Sequence, residues 1–298
     1  MKLSLDFAFE GFRIVRQKPS VLLFWGVLSL IFGGMAMYLS VSAGAPGIED
    51  MTKATQTRDV VAMTALLGKV LSVALMTFPF SIILQALVSN AVFRVVLYDE
   101  GAQFGGLKFG KDELRQALVV VLFEVMKGLV LMACLTVASV IGSILSAAAG
   151  QAGIVVAIVL GAALSFWIIA RLSLAQVQSF DQKRINLVGS WTLTKGHSST
   201  LLAGYVIALL LSVIVYFLCV AILSMSIVAL NGGSASALAP LNELTSRGAK
   251  AFESPVTVMF AVALNFLVAP LLMAITIGAP AAAYKSLRIT NSAADSVF

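Results

Sequence analysis

Charged and chemically reactive side chains are scarce in this 298-residue sequence. Charged residues make up only 11% of the chain and apolar residues 60%, whereas a soluble domain is about a quarter charged and nearly half apolar. Too few polar side chains are present to cover the surface of soluble domains of this length. The composition, with a mean hydropathy of +1.00, therefore predicts an integral membrane protein.

Cysteine and histidine are rarer still. The two cysteines, Cys134 and Cys219, lie within apolar stretches, and His197 is the single histidine. A protein metal site needs several such ligands close together, and cysteines in apolar stretches are typical of small buried hydrophobic residues. No pair of carboxylates shares an apolar segment. We therefore predict a protein that is not an enzyme and needs no metal or cofactor. An enzyme acting on lipid headgroups would have to use Asp181 or the Asp112–Glu113 pair.

Six apolar segments are long enough to cross a bilayer, which takes about 20 helical residues. They lie at about 21–43, within 60–97, within 117–149, and at about 154–175, 201–230 and 256–284. Proline at 79, 270 and 280 removes backbone donors and predicts bends in the second and sixth segments. The predicted fold is all-α, a polytopic membrane bundle of six transmembrane helices over 19–288 with a C-terminal tail at 289–298.

The cations are distributed unequally between alternate loops. The N-terminal segment and every second loop hold most of the lysine and arginine residues, whereas the intervening loops hold Lys53, Arg58, Lys69, Arg247 and Lys250. The positive-inside rule then predicts a multi-pass membrane protein with both termini in the cytoplasm. The cations form no single stripe, so nucleic acid is not predicted as a partner.

The first 18 residues have the pattern of an amphipathic helix. Leu5, Ala8, Phe9, Phe12 and Val15 recur at helical spacing, and proline at position 19 breaks the helix. One interpretation is an interfacial helix anchored in the headgroup region by its phenylalanines. The other is a helix docked on the cytoplasmic surface of the protein itself.

Basic and aromatic residues on the predicted cytoplasmic side are the candidates for binding phospholipid or a partner membrane protein. A homo-oligomer is a further possibility. The candidates are Phe9, Phe12, Arg13, Arg16, Lys18, Arg94, Lys108, Lys111, Arg171, Lys183, Arg184 and Trp191.

Polar residues inside the apolar segments favour an alternative function. They are Gln85, Asn90, Glu124, Lys127 and Asn265. Intramembrane charge is a functional candidate because it is unfavourable in hydrocarbon. These side chains would line a polar cavity between kinked helices in a small-molecule or lipid transporter. In the structural interpretation, Glu124 and Lys127 form an ion pair three residues apart at the interface, and the amides bridge helices by hydrogen bonds.

Small residues predict a close helical hairpin between the third and fourth segments. Gly153, Ala157, Gly161 and Ser165 recur every fourth residue, and the third segment has Ser139, Gly142, Ser143, Ser146 and Gly150 at helical spacing. Small side chains let membrane helices approach closely. The alternative use of this stripe is a homodimer face.

One stretch carries a family resemblance. Residues 171–200 read RLSLAQVQSFDQKRINLVGSWTLTKGHSST, with Arg171 ending one span and Ser190, Trp191, Leu193, Thr194 and Gly196 leading into the next. This resembles YciC-like bacterial six-helix inner-membrane proteins and the membrane domain attached to some glycerophosphoryl diester phosphodiesterases. The resemblance implies a multi-pass helical bundle of the bacterial cytoplasmic (inner) membrane with no settled activity. The catalytic domain of the phosphodiesterases has no counterpart here, so the resemblance does not imply hydrolysis.

Overall fold

The computed structural model describes residues 4–100, 104–108, 110–242 and 244–295. Within these residues all regular structure is helical, and six helices are long and apolar enough to cross a membrane. The predicted all-α bundle with six transmembrane helices and a short N-terminal helix is confirmed.

The helices are numbered in chain order. They are α1 (Glu10–Gln17), α2 (Ser20–Ser42), α3 (Ile48–Gln56), α4 (Val60–Tyr98), α5 (Lys111–Ala149), α6 (Gln151–Leu172), α7 (Ala175–Asp181), α8 (Gly189–Leu193), α9 (Ser198–Leu230), α10 (Ala239–Asn242), α11 (Leu244–Arg247), α12 (Pro255–Ala263) and α13 (Ala269–Asp295). Short 3₁₀ segments lie at Leu5–Phe9, Phe104–Gly106, Ala235–Leu238 and Gly248–Glu253. One π-helical turn, Leu264–Val268, joins α12 to α13. The sixth span is therefore one continuous helix, which extends through residues 289–295 of the predicted tail.

Two ends of the bundle differ in their packing. At the end that we call the basic end, the N-terminal segment, the α4–α5 connection, residues 173–197 and the last part of α13 come together. The largest fully buried side chains, including Trp25, Phe93, Leu174 and Leu201, belong to a core centred there. Toward the opposite end the helices expose apolar side chains, and the last buried residue of α9 is Ser212. Lipid can solvate such exposed faces, so tight packing is needed mainly at the basic end.

The N-terminal segment docks on the bundle by a face that matches the predicted apolar stripe only in part, since Ala8 is buried and Phe12 and Val15 are half-buried. Phe7 and Ile14 are buried, and the segment packs against α13 and α9. The backbone at Gly11 is so close to α13 that a Cβ would lie 2.4 Å from the Cα of Ile275. The segment begins as a 3₁₀ turn with about 3.0 residues per turn, which shifts the phase of the apolar residues. As a result Leu5 and Phe9 remain exposed, and Phe12 is half-buried.

Helices α5 and α6 form the predicted antiparallel hairpin. Gly153, Ala157, Gly161 and Ser165 are buried in it, and a Cβ at Gly161 would lie 2.6 Å from that of Ala138. Because this stripe is already covered within the chain, the homodimer interpretation of it is wrong.

The prediction that Ser139 and Ser143 of α5 face α6 is wrong. Cys134, Ala138 and Gly142 are buried toward α6, whereas Ser139 and Ser143 are exposed. The two serine hydroxyls donate to carbonyl oxygens in the preceding turn of α5. Serine can satisfy its hydroxyl within its own helix, so a small polar residue in a span need not face a neighbour.

Candidate functional site

An arginine predicted to contact lipid lies inside the basic end. Arg94 is 5% exposed and forms an ion pair with Glu113, which is 8% exposed. Its Nη1 donates to the carbonyl oxygen of Gly106 at 3.0 Å, and its guanidinium lies 5.6 Å from the ring centroid of Phe180. The lipid-binding role predicted for Arg94 does not fit this burial. Arg94 instead ties α4 to the start of α5.

A second charged group joins three helices. Both carboxylate oxygens of Asp181, at the end of α7, accept hydrogen bonds, from Tyr98 at 2.7 Å and from Tyr284 at 2.8 Å. Arg288 adds an ion pair at 2.7 Å. Sequence reasoning identified Asp181 only as a possible catalytic carboxylate. Its donors are 83 to 107 residues away, so no local spacing could reveal them.

The residues that carry the family resemblance contact one another at the end of α6. Arg171 lies 4.0 Å from one ring centroid of Trp191 and donates to the Trp191 carbonyl oxygen at 3.0 Å. Trp167 flanks the guanidinium at 5.5 Å. In return the hydroxyl of Ser190 donates to the carbonyl oxygen of Arg171 at 2.6 Å. Arg171 and Trp191 thus hold α8 against α6, which accounts physically for Arg, Ser and Trp in this segment.

Several other predicted cations are exposed around the basic end. We call Arg13, Arg16, Lys111, Lys183 and Arg184 the basic rim; each is exposed. Arg13 pairs with Glu10 at 2.7 Å. In the part of the chain that the structure describes, Arg16, Lys111 and Lys183 form no ion pair. Arg16, Lys111 and Lys183 are therefore available to ligands from outside the bundle.

Two further predicted cations bridge to the α4–α5 connection. Lys18 pairs with Asp99 at 2.7 Å, and Lys108 pairs with Glu100 at 2.9 Å. Hydrogen bonding and charge from Lys18 hold the pKa of the Asp99 carboxyl below its usual range, and Lys108 lowers the pKa of Glu100 in the same way. Because both pKa values are lowered on folding, these pairs stabilise the fold at neutral pH and are lost as the pH falls through the lowered values.

Exposed apolar side chains accompany the basic rim. They are Phe9, Phe104, Leu114, Ile185 and Val188. Cations mixed with exposed apolar groups are the composition of surfaces that lie in the headgroup region of a membrane.

A cavity of about 300 Å³ lies between α4, α5, α7 and α13 and reaches the end of α6. Its polar lining comes from Gln85, Lys127, Ser173, Gln176 and Thr276. Its apolar lining comes from Phe93, Phe123, Ile169, Val177, Ile277 and Pro280. The cavity is therefore amphipathic, with most of its wall apolar.

The predicted intramembrane ion pair borders this cavity. Lys127 Nζ lies 2.7 Å from Glu124 Oε1, which confirms the predicted pair, and 5.3 Å from the ring centroid of Phe123. Gln85 Nε2 also donates to Glu124 Oε1, at 3.3 Å. Glu124 is thus held from two helices, while Lys127 reaches the cavity wall.

The two asparagines of the alternative transport set lie elsewhere. Asn265, in the π turn, donates to the Ala261 carbonyl oxygen in its own helix at 3.0 Å and lines a separate cavity of about 160 Å³. Asn90 is fully buried in the basic end, and neither polar atom of its side chain has a hydrogen-bond partner among the described residues. Among the described residues, Asn90 and Asn265 therefore do not bridge helices by hydrogen bonds. The predicted set does not form one continuous polar path.

Replacing Asn90 by leucine is expected to raise the free energy of unfolding by about 1–3 kcal/mol, because a buried amide without a partner loses its hydration on folding. Leucine has the same branched arrangement of four heavy atoms and no polar atom. Unfolding of purified protein in mixed micelles measures the change, with Gln151→Leu as an exposed control expected to have little effect. A lower stability for Asn90→Leu would contradict the prediction.

The described residues contain no group of three or more His, Cys, Asp or Glu side chains that could hold a metal ion. Both cysteines are free. Comparisons with protein-family models, with curated proteins and with solved structures find no match to this chain. The resemblance to YciC-like proteins therefore stays a prediction.

Proposed function

We propose that this chain is a non-catalytic multi-pass protein of the bacterial inner membrane that binds anionic phospholipid through its basic rim. The basic end would face the cytoplasm, as the positive-inside rule favours. Six membrane-crossing helices support residence in a membrane. The proposed binding of anionic phospholipid depends on the side chains exposed at the basic end.

One observation carries the proposal. Three rim cations, Arg16, Lys111 and Lys183, have no carboxylate partner within the described residues, and large apolar side chains such as Phe104 and Val188 are exposed at the same end. Unpaired cations attract the phosphates of anionic headgroups, and exposed apolar groups enter the adjoining interface. A transporter is less well supported, because Asn90 and Asn265 do not extend the cavity.

The test neutralises these three rim cations together, Arg16→Gln, Lys111→Gln and Lys183→Gln. A basic residue near an anionic surface contributes about 1 kcal/mol, so the affinity for phosphatidylglycerol should fall roughly hundredfold. Native mass spectrometry of the purified full chain, titrated with phosphatidylglycerol and separately with phosphatidylcholine, measures this loss.

A matched variant controls for net charge. Lys53→Gln, Arg58→Gln and Lys69→Gln remove the same charge from the opposite end and should leave the affinity for phosphatidylglycerol nearly unchanged. Equal affinity in both triple variants would overturn the proposal. Loss of a co-purifying protein from the rim variant, with lipid binding unaltered, would also overturn it in favour of a protein partner.

A further inference from the structure

We propose that the cavity beside Lys127 is a second and distinct binding site, which takes the phosphate-bearing head of an anionic phospholipid entering from the membrane. The site lies between helices rather than on the basic rim. It therefore does not depend on the proposed function of the rim.

The depth of the cavity matches that of lipid phosphates. In the antiparallel hairpin Gly161 lies opposite Ala138, and Gly142 lies opposite Ala157. The same pairing, continued toward the basic end, brings Lys127 level with the last residues of α6, where Arg171 lies over the ring of Trp191 and beside Trp167. Tryptophan and arginine are typical of the membrane–water interface. Lys127 is therefore at headgroup level and not at the middle of the bilayer.

Gln176 shows that the cavity has unused hydrogen-bonding capacity. This residue is 8% exposed, lines the cavity and makes no side-chain hydrogen bond within the described part of the protein. An amide group has two N–H donors and an oxygen acceptor that can bond to a molecule in the cavity. A ligand with oxygen acceptors would satisfy its N–H groups.

The charge of the lining selects an anion. Among the described residues that line the cavity, Lys127 alone is charged, since Glu124 is beside the cavity and not in its wall. An ammonium has three N–H donors, and Glu124 accepts from one side at 2.7 Å. The remaining donors of Lys127 and the amide of Gln176 suit a phosphate diester, to which charge-assisted hydrogen bonds are strong.

The size and surroundings favour a lipid over a soluble anion. A cavity of about 300 Å³ is at the small end for ligand sites, so it accommodates a glycerophosphate head but not acyl chains. Phe78 lies two helical turns from Gln85 on the same face of α4, toward the opposite end, and is exposed. Leu131, one turn beyond Lys127 on α5, is exposed as well. Acyl chains leaving the cavity would run along such apolar surfaces.

The experiment uses the rim-neutralised full chain, so that lipid on the rim does not obscure the cavity. Native mass spectrometry with phosphatidylglycerol should show one retained lipid. Lys127→Gln and Gln176→Leu should each weaken its binding about tenfold or more, because each removes a hydrogen-bond donor to a charged group. Gln151→Leu, an exposed glutamine at the opposite end, is the matched control and should bind normally.

A charge swap separates ligand binding from structural support. The double variant Glu124→Lys with Lys127→Glu keeps an ion pair three residues apart, so thermal stability should be close to that of the parent. The cation then leaves the cavity wall, and phosphatidylglycerol binding should still fall about tenfold or more. Normal binding in the swapped variant would overturn the proposal. So would losses of binding that occur only in variants with lowered thermal stability.

Glycerol 1-phosphate distinguishes a lipid from a soluble phosphate ester. The proposal predicts that millimolar glycerol 1-phosphate neither displaces the retained phosphatidylglycerol nor raises the thermal stability. Displacement of the lipid at such concentrations, abolished by Lys127→Gln, would overturn the assignment to lipid and identify a site for soluble phosphate esters.

Discussion

Replacing Glu113 by alanine is expected to lower the free energy of unfolding by about 3–5 kcal/mol, because the variant leaves the Arg94 guanidinium buried without a counter-ion. Among the described residues, Arg94 then retains the Gly106 carbonyl oxygen and the face of Phe180 as its polar or π contacts. These contacts do not neutralise the charge. Chemical unfolding of the full chain in mixed micelles measures the difference.

An exposed ion pair on the same connection provides the control. Lys108 and Glu100 are 63% and 56% exposed in their side chains, so Glu100→Ala should change stability by about 0–1 kcal/mol. The double variant Arg94→Met with Glu113→Leu should recover much of the loss, since an apolar pair leaves no buried charge. Similar small losses for Glu113→Ala and Glu100→Ala would contradict the structural role of the buried pair.

Replacing Gly161 by leucine is the second substitution expected to have a large effect. A Cβ at this position would lie 2.6 Å from the Cβ of Ala138 and 3.1 Å from the Cys134 carbonyl oxygen. Leucine would force α6 away from α5 at a close contact of the hairpin. We expect a loss of about 3 kcal/mol, at the upper end for overpacking, because backbone must move.

Gly128→Leu on α5 is the matched control, since a Cβ there meets nothing within 4 Å. It should be neutral or slightly stabilising, because leucine is a better helix former than glycine. Thermal unfolding of both variants checks the difference. Gly161→Ala combined with Ala138→Gly should retain more stability than Gly161→Ala alone. Full stability of Gly161→Leu would show that the hairpin is not closely packed at this point.

Interactions that follow from local spacing were predictable from the sequence. The apolar segments correspond to the six long helices, because burying a backbone in hydrocarbon requires about 20 helical residues each time. The Glu124–Lys127 pair follows from a separation of three residues on one helix. The close approach at Gly161 follows from small residues repeated every fourth position.

Which side of each helix packs against protein and which side is left for lipid was decided only by the tertiary structure. Lipid and protein interior are both apolar, so the spans show almost no contrast between a lipid face and a packed face, and the sequence could not separate Ala138 from Ser139. In the sequence, Arg94 and Gln176 look like polar residues at a lipid interface. In the structure, Glu113 neutralises the charge of Arg94, and Gln176 lines a cavity. Those outcomes depend on which helices meet, and hydropathy along a single helix does not encode that choice.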